Sequence, residues 1–119
     1  MKLIHCADLH LDSKLSRYFT PEKARERNVE LLHTFQRMVR YAVEHEVQAI
    51  LIAGDLFDTG KVSATTKQVI LSEIYEKSEI DFYYIRGNHD RTAFFVEGEE
   101  LPANLKLFST QWTLSLIHI

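Results

Sequence analysis

Val47-Gln48-Ala49-Ile50-Leu51-Ile52-Ala53-Gly54-Asp55-Leu56-Phe57-Asp58 decides how this chain folds. The stretch from Val47 to Ala53 is apolar but for Gln48, and Gly54 stops it, so it reads as a strand. A polar cluster, Gly54-Asp55-Leu56-Phe57-Asp58, follows at once. Upstream, Leu31, Leu32, Phe35, Met38, Val39, Ala42 and Val43 recur at spacings of three and four. That spacing predicts one apolar stripe along a helix ending near Glu46. Thr20-Pro21-Glu22 starts this helix, with Thr20 as N-cap and Pro21 at the first helical position.

Outward from this centre the pattern repeats. Lys2-Leu3-Ile4-His5-Cys6-Ala7 reads as a buried strand ending at Asp8. Ser63 can cap a second helix, with Val69, Ile70, Ile74 and Tyr75 expected to face inward. Ile80-Asp81-Phe82-Tyr83-Tyr84-Ile85 is a third strand, rich in aromatic and β-branched residues. The order is βαβαβ, which predicts an α/β fold of parallel strands joined by right-handed helical crossovers. Residues 92–104 read as a loop, and 105–108 and 112–116 as two further strands.

Composition bounds what such a chain can do. Its 119 residues allow one small domain, and 45% hydrophobic with 26% charged residues is a globular profile. A single cysteine, Cys6, excludes an internal disulfide and points to a reducing compartment, hence the cytoplasm. No apolar run reaches the length of a secretory or membrane-spanning segment. The net charge of −3 argues against a strongly basic nucleic-acid surface, although bound divalent cations would reverse the local field. The most basic stretch, Lys14, Arg17, Lys23, Arg25 and Arg27, is diluted by Glu22 and Glu26 and reads as a solvated helix face.

Each strand runs into a polar cluster: Asp8-Leu9-His10, then Gly54-Asp55-Leu56-Phe57-Asp58, then Gly87-Asn88-His89-Asp90. In open α/β sheets, ligands bind beyond the carboxyl ends of the strands. Parallel neighbours therefore gather these clusters, far apart in sequence, into one cleft. Asp8, Asp55 and Asn88 offer oxygens and His10 an imidazole, a donor set for a hard or borderline divalent cation. No thiolate belongs to the set, which argues against a structural cysteine-type zinc site. In Asp8-Leu9-His10, side chains two apart on an extended backbone point the same way. A carboxylate such as Asp55 can bridge two ions, and two ions together activate water and neutralise phosphoryl charge. Asp-x-His alone occurs often by chance. Gly-Asn-His-Asp belongs to well under roughly one in a thousand chains of this length at average residue usage.

These motifs resemble the first three signature motifs of the calcineurin-like metallophosphoesterases. His5-Cys6-Ala7-Asp8-Leu9-His10-Leu11-Asp12-Ser13 and Ala53-Gly54-Asp55-Leu56-Phe57-Asp58 resemble in particular the bacterial SbcD/YhaO-type DNA repair exonucleases. The resemblance implies the N-terminal half of an α/β/β/α sandwich, with the second sheet largely missing. It implies a metallophosphoesterase domain over residues 1–113 and a non-native tail over 114–119. It also implies two divalent ions, with Mn²⁺ the expected metal. Asp8 and His10 would hold the first ion, Asp55 would bridge both, and Asn88 would hold the second. His89 would sit over the scissile phosphate, with Asp90 orienting it and Asp58 in support. A histidine in that role needs a carboxylate to fix its tautomer.

The implied activity is hydrolysis of DNA phosphodiester bonds by a metal-activated water, with an SbcC-like or YhaN-like ATPase as partner. A phosphatase or phosphodiesterase acting on small molecules or phosphoproteins shares the same motifs. A catalytically silent fragment or scaffold is a third reading. The family's later lone His and Gly-His-x-His motif are not present, and Leu116-Ile117-His118-Ile119 does not match them. The expectation for this chain is therefore weak Mn²⁺ affinity, negligible nuclease activity, and an exposed apolar face built from Ile4, Leu51, Tyr83 or their neighbours.

The plainer readings stand beside these. Asp58 and Asp90 also suit turns. His5 reads as structural, and His33 and His45 as exposed helix residues. Cys6 reads as a small buried hydrophobe. Asp12 and Arg91 read as solvated, and Trp112 as core.

Overall fold

A computed structural model describes residues 1–7, 9, 11, 20–54, 64–85 and 101–108. The elements are β1 (Leu3–Cys6), α1 (Pro21–Glu44), β2 (Ala49–Ala53), α2 (Ala64–Glu76), β3 (Asp81–Ile85) and β4 (Leu105–Phe108). The strands form one four-stranded sheet in the order β1-β2-β3-β4, and every pairing is parallel. The expected βαβαβ order is present, and the strand expected at 105–108 extends it. The strand expected at 112–116 lies outside the described residues.

The start of α1 follows from its sequence. Thr20 is extended and its hydroxyl accepts the Lys23 N–H at 3.2 Å, satisfying a donor that the first turn leaves free. Pro21 has no N–H to satisfy there. The helix stops at Glu44, slightly before the expected end near Glu46, because Glu46 takes a left-handed backbone (φ 56°). The Val47 N–H then returns to the Ala42 carbonyl at 2.9 Å, closing the helix end.

Strand alternation sorts the sheet into two faces. Ile50, Ile52, Phe82, Tyr84 and Leu105 are buried in one cluster with Phe35, Val39 and Ala42 of α1 and Ile70 and Ile74 of α2. Both helices thus cover the same face, as right-handed crossovers between strands in sequential order require. Each large side chain in this cluster contributes about 1.5–3 kcal/mol of burial.

Three sequence expectations are corrected. Ile4 pairs with Ile50 and packs on the helix-covered core, so the open face of β1 is made by Leu3 and His5. Tyr75 is 73% exposed: it sits about 100° around the helix from Ile74, off the inward line of Ile70 and Ile74. Val43 is exposed for the same reason beside Ala42.

The face turned away from α1 and α2 is less apolar and less exposed than expected, among the described residues. Leu3 and Ile85 are exposed, but Leu51 is half-buried and Tyr83 is buried, its ring stacked on Phe108 at 5.7 Å. His5 and Lys106 are exposed on the same face. His33 and His45 are exposed, as expected, and His45 stacks on Tyr41 at 3.8 Å. The basic stretch of α1 is a solvated face with exposed pairs, Lys23 to Glu26 at 4.0 Å and Arg27 to Glu30 at 3.0 Å.

Candidate metal centre at the strand ends

The parallel register brings the ends of the first three strands level. Cys6 is opposite Ile52, Ile52 is opposite Tyr84, and Ala53 is opposite Ile85. Neighbouring strands lie ~4.8 Å apart, so the exits of β1 and β3 are separated by roughly 10 Å. Asp8 follows β1 by two residues, Asp55 follows β2 by two, and Asn88 follows β3 by three. The strand exits that precede the three motifs in sequence therefore lie side by side at one end of the sheet.

Asp8, His10, Asp55, Asp58, Asn88, His89 and Asp90 lie outside the described residues, as do Asp12, Arg91 and Trp112. Leu9 packs against the core and Leu11 is within it, 1% exposed. Asp8 and His10 alternate in sequence with these two anchored leucines. Sequence reasoning assigned Leu11 no place in the core. The signal was available in the polar-apolar alternation of Asp8-Leu9-His10-Leu11.

Gly54 closes the second exit. Its backbone is left-handed (φ 79°), a conformation that glycine adopts without steric cost. Its N–H donates to the Ile85 carbonyl at 2.7 Å, joining the ends of β2 and β3. Beside the first exit, burial pushes the Cys6 thiol above its ordinary pKa, so it stays protonated. The Cys6 side chain packs against the hydrophobic core as a small apolar residue does. Among the described residues, no group of three His, Cys, Asp or Glu side chains could hold a metal ion.

A family model for calcineurin-like phosphoesterases matches residues 1–116. The chain belongs to this family. Calcineurin-like phosphoesterases generally bind two divalent metals, and the oxygen- and imidazole-bearing set Asp8, His10, Asp55 and Asn88 suits such ions chemically. The uncharacterized metallophosphoesterase YhaO of Bacillus subtilis is 35% identical over 92% of this chain and 28% of its own length. The DNA double-strand break repair protein Mre11 of Archaeoglobus fulgidus is 29% identical over 92% of this chain and 24% of its own. The SbcD component of the Escherichia coli nuclease SbcCD is 25% identical over 88% of this chain and 25% of its own. The chain spans about a quarter of the length of these relatives. The crystal structure of the Pseudomonas putida nuclease MPE matches 94% of this chain and 50% of that one, with a TM-score of 0.59 and 20% identity. That likeness bears on the fold alone. No helix among the described residues is long and apolar enough to cross a membrane.

Proposed function

We propose that this chain contributes to a two-metal site that hydrolyses DNA phosphodiester bonds, in the manner of an exonuclease. The level exits of β1, β2 and β3 carry this reading, because each leads directly into one of the three motifs. Asp8 and His10 would hold one divalent ion, Asn88 a second, and Asp55 both, with Mn²⁺ the metal of choice. Bound there, the ions would supply an activated water and neutralise charge on the phosphoryl group. His89 would stabilise the developing charge or give a proton to the leaving oxygen, and Asp90 would hold the imidazole in the tautomer that this requires. Asp58 would support this arrangement from the second motif.

DNA is favoured over small phosphoesters by the relatives, which include a DNA double-strand break repair protein and a component of a nuclease. An SbcC-like or YhaN-like ATPase is the partner we propose. The lone cysteine suits a cytoplasmic setting. The test is incubation of the protein at high concentration with 5′-labelled duplex DNA in Mn²⁺, with a chelator control, beside a small phosphomonoester. Slow, Mn²⁺-dependent nucleotide release that His89→Ala abolishes is the expected result. Turnover of the monoester without attack on DNA would overturn the nuclease assignment. DNA cleavage at an equal rate in the chelator would overturn the metal-site assignment, and an equal rate in His89→Ala would overturn the role given to His89.

A further inference from the structure

We infer that Gly54 is a positioning residue of the candidate centre, locking the exits of β2 and β3 so that the second and third motifs are presented as one unit. The inference deepens the metal-site reading and rests on it. Two observations combine. The Gly54 backbone is left-handed, at φ 79°, where a β-carbon would crowd the following carbonyl. Its N–H is also committed to the Ile85 carbonyl at 2.7 Å. Asp55 follows Gly54 directly, and Gly87-Asn88-His89-Asp90 starts two residues after Ile85. One short hydrogen bond therefore separates the backbone leading to Asp55 from the backbone leading to Asn88.

Gly54 has no side chain to offer a ligand, so its effect must pass through its backbone. A residue that resists the left-handed region has to rotate the peptide, and rotation withdraws the N–H from Ile85. Asparagine tolerates that region far better than alanine, because its short polar side chain can bond locally. The pair Gly54→Ala and Gly54→Asn thus separates backbone conformation from mere side-chain bulk.

The experiment uses ¹⁵N-labelled protein and follows two quantities by NMR. Amide hydrogen exchange at residue 54 reads the hydrogen bond to Ile85. Paramagnetic broadening by added Mn²⁺ at Ala7, residue 54 and Ile85 reads metal held at the strand ends. Wild type should protect residue 54 and show broadening of all three signals over one Mn²⁺ range. Gly54→Ala should lose the protection and need about tenfold more Mn²⁺, while the Phe35 and Ile50 signals keep their folded positions. Gly54→Asn should stay within about threefold of wild type on both. Gly54→Ala titrating like wild type, or Gly54→Asn as impaired as Gly54→Ala, would overturn the positioning role and leave the metal site standing. No broadening at any strand end in wild type would remove the metal site, and the role with it. Should Gly54→Ala fail to fold, a Gly54→Asn titration matching wild type supports the inference and a tenfold weaker one refutes it.

Discussion

The side-chain amide of Asn104 donates to the carbonyl of Ile74 at 2.8 Å, tying the entry of β4 to the last turn of α2. The same nitrogen lies 3.1 Å from the Lys77 carbonyl and 2.9 Å from that of Ile80. Asn104 also presents its own carbonyl to the Phe82 N–H at 2.7 Å. One buried side chain thus fastens the end of α2, the turn into β3, and the approach to β4. The Ile74 carbonyl otherwise accepts only a long bond from the Lys77 N–H, at 3.2 Å, and Asn104 adds a second, shorter donor where water has little access.

Asn104→Leu should therefore destabilise the fold by about 2 kcal/mol, since it takes the amide from the buried Ile80 carbonyl and leaves those of Ile74 and Lys77 with only the backbone N–H groups of Lys77 and Ile80. Urea unfolding followed by far-UV circular dichroism measures this. A change below ~0.5 kcal/mol would show that the carbonyls find other donors at no cost.

This contact was not legible in the sequence, and the reason is physical. Periodicity reports which face of an element is apolar, so β1, α1, β2, α2 and β3 could be read from Ile50, Phe35, Val39 and their like. Asn104 sits in a polar stretch that reads as a loop, and its value comes from three carbonyls, at Ile74, Lys77 and Ile80, that only the fold assembles. Tyr75 failed in the opposite direction: an aromatic residue beside Ile74 suggests burial, yet the helix turns it outward. For the candidate centre, the sequence supplied the motifs and their order. The structure adds the level strand exits, the anchoring of Leu9 and Leu11, and the Gly54 to Ile85 bond.

Leu11 gives a second stability test. It is 1% exposed within the core cluster, and Leu→Ala at such a site costs about 2–5 kcal/mol. Leu11→Ala should show a loss in that range by urea unfolding. Because Leu11 adjoins His10, the variant should also bind Mn²⁺ more weakly where the protein remains folded, which calorimetric titration would reveal. Unchanged stability would mean that the burial of Leu11 contributes nothing to the fold.

The sheet face turned away from α1 and α2 yields a prediction on solubility. Leu3 is 45% exposed and Ile85 51% exposed there. The double variant Leu3→Thr, Ile85→Thr places β-branched threonine in both strands and removes apolar surface from solvent. It should unfold within about 1 kcal/mol of wild type, the span of strand propensities, and scatter less light at high concentration. Greater scattering by the variant would show that these two residues do not drive association.

The proposed roles at the strand ends make opposite demands on two residues. Asp55 would be shared between both ions, so Asp55→Ala removes a ligand from each and should abolish most Mn²⁺ binding in calorimetric titration. His89 would act on the phosphate and not on the metal. In a full-length version of the protein, His89→Ala should therefore leave the Mn²⁺ isotherm nearly unchanged and lower turnover by roughly 10²–10⁴-fold, the usual worth of a positioned acid–base group. The contrast matters more than either value, because general unfolding would damage binding in both variants. A circular dichroism spectrum matching wild type for each variant removes that explanation. Loss of metal binding in His89→Ala would make His89 a ligand and require a new proton donor. Retention of full binding in Asp55→Ala would remove Asp55 from the bridge and leave the second motif without its assigned part.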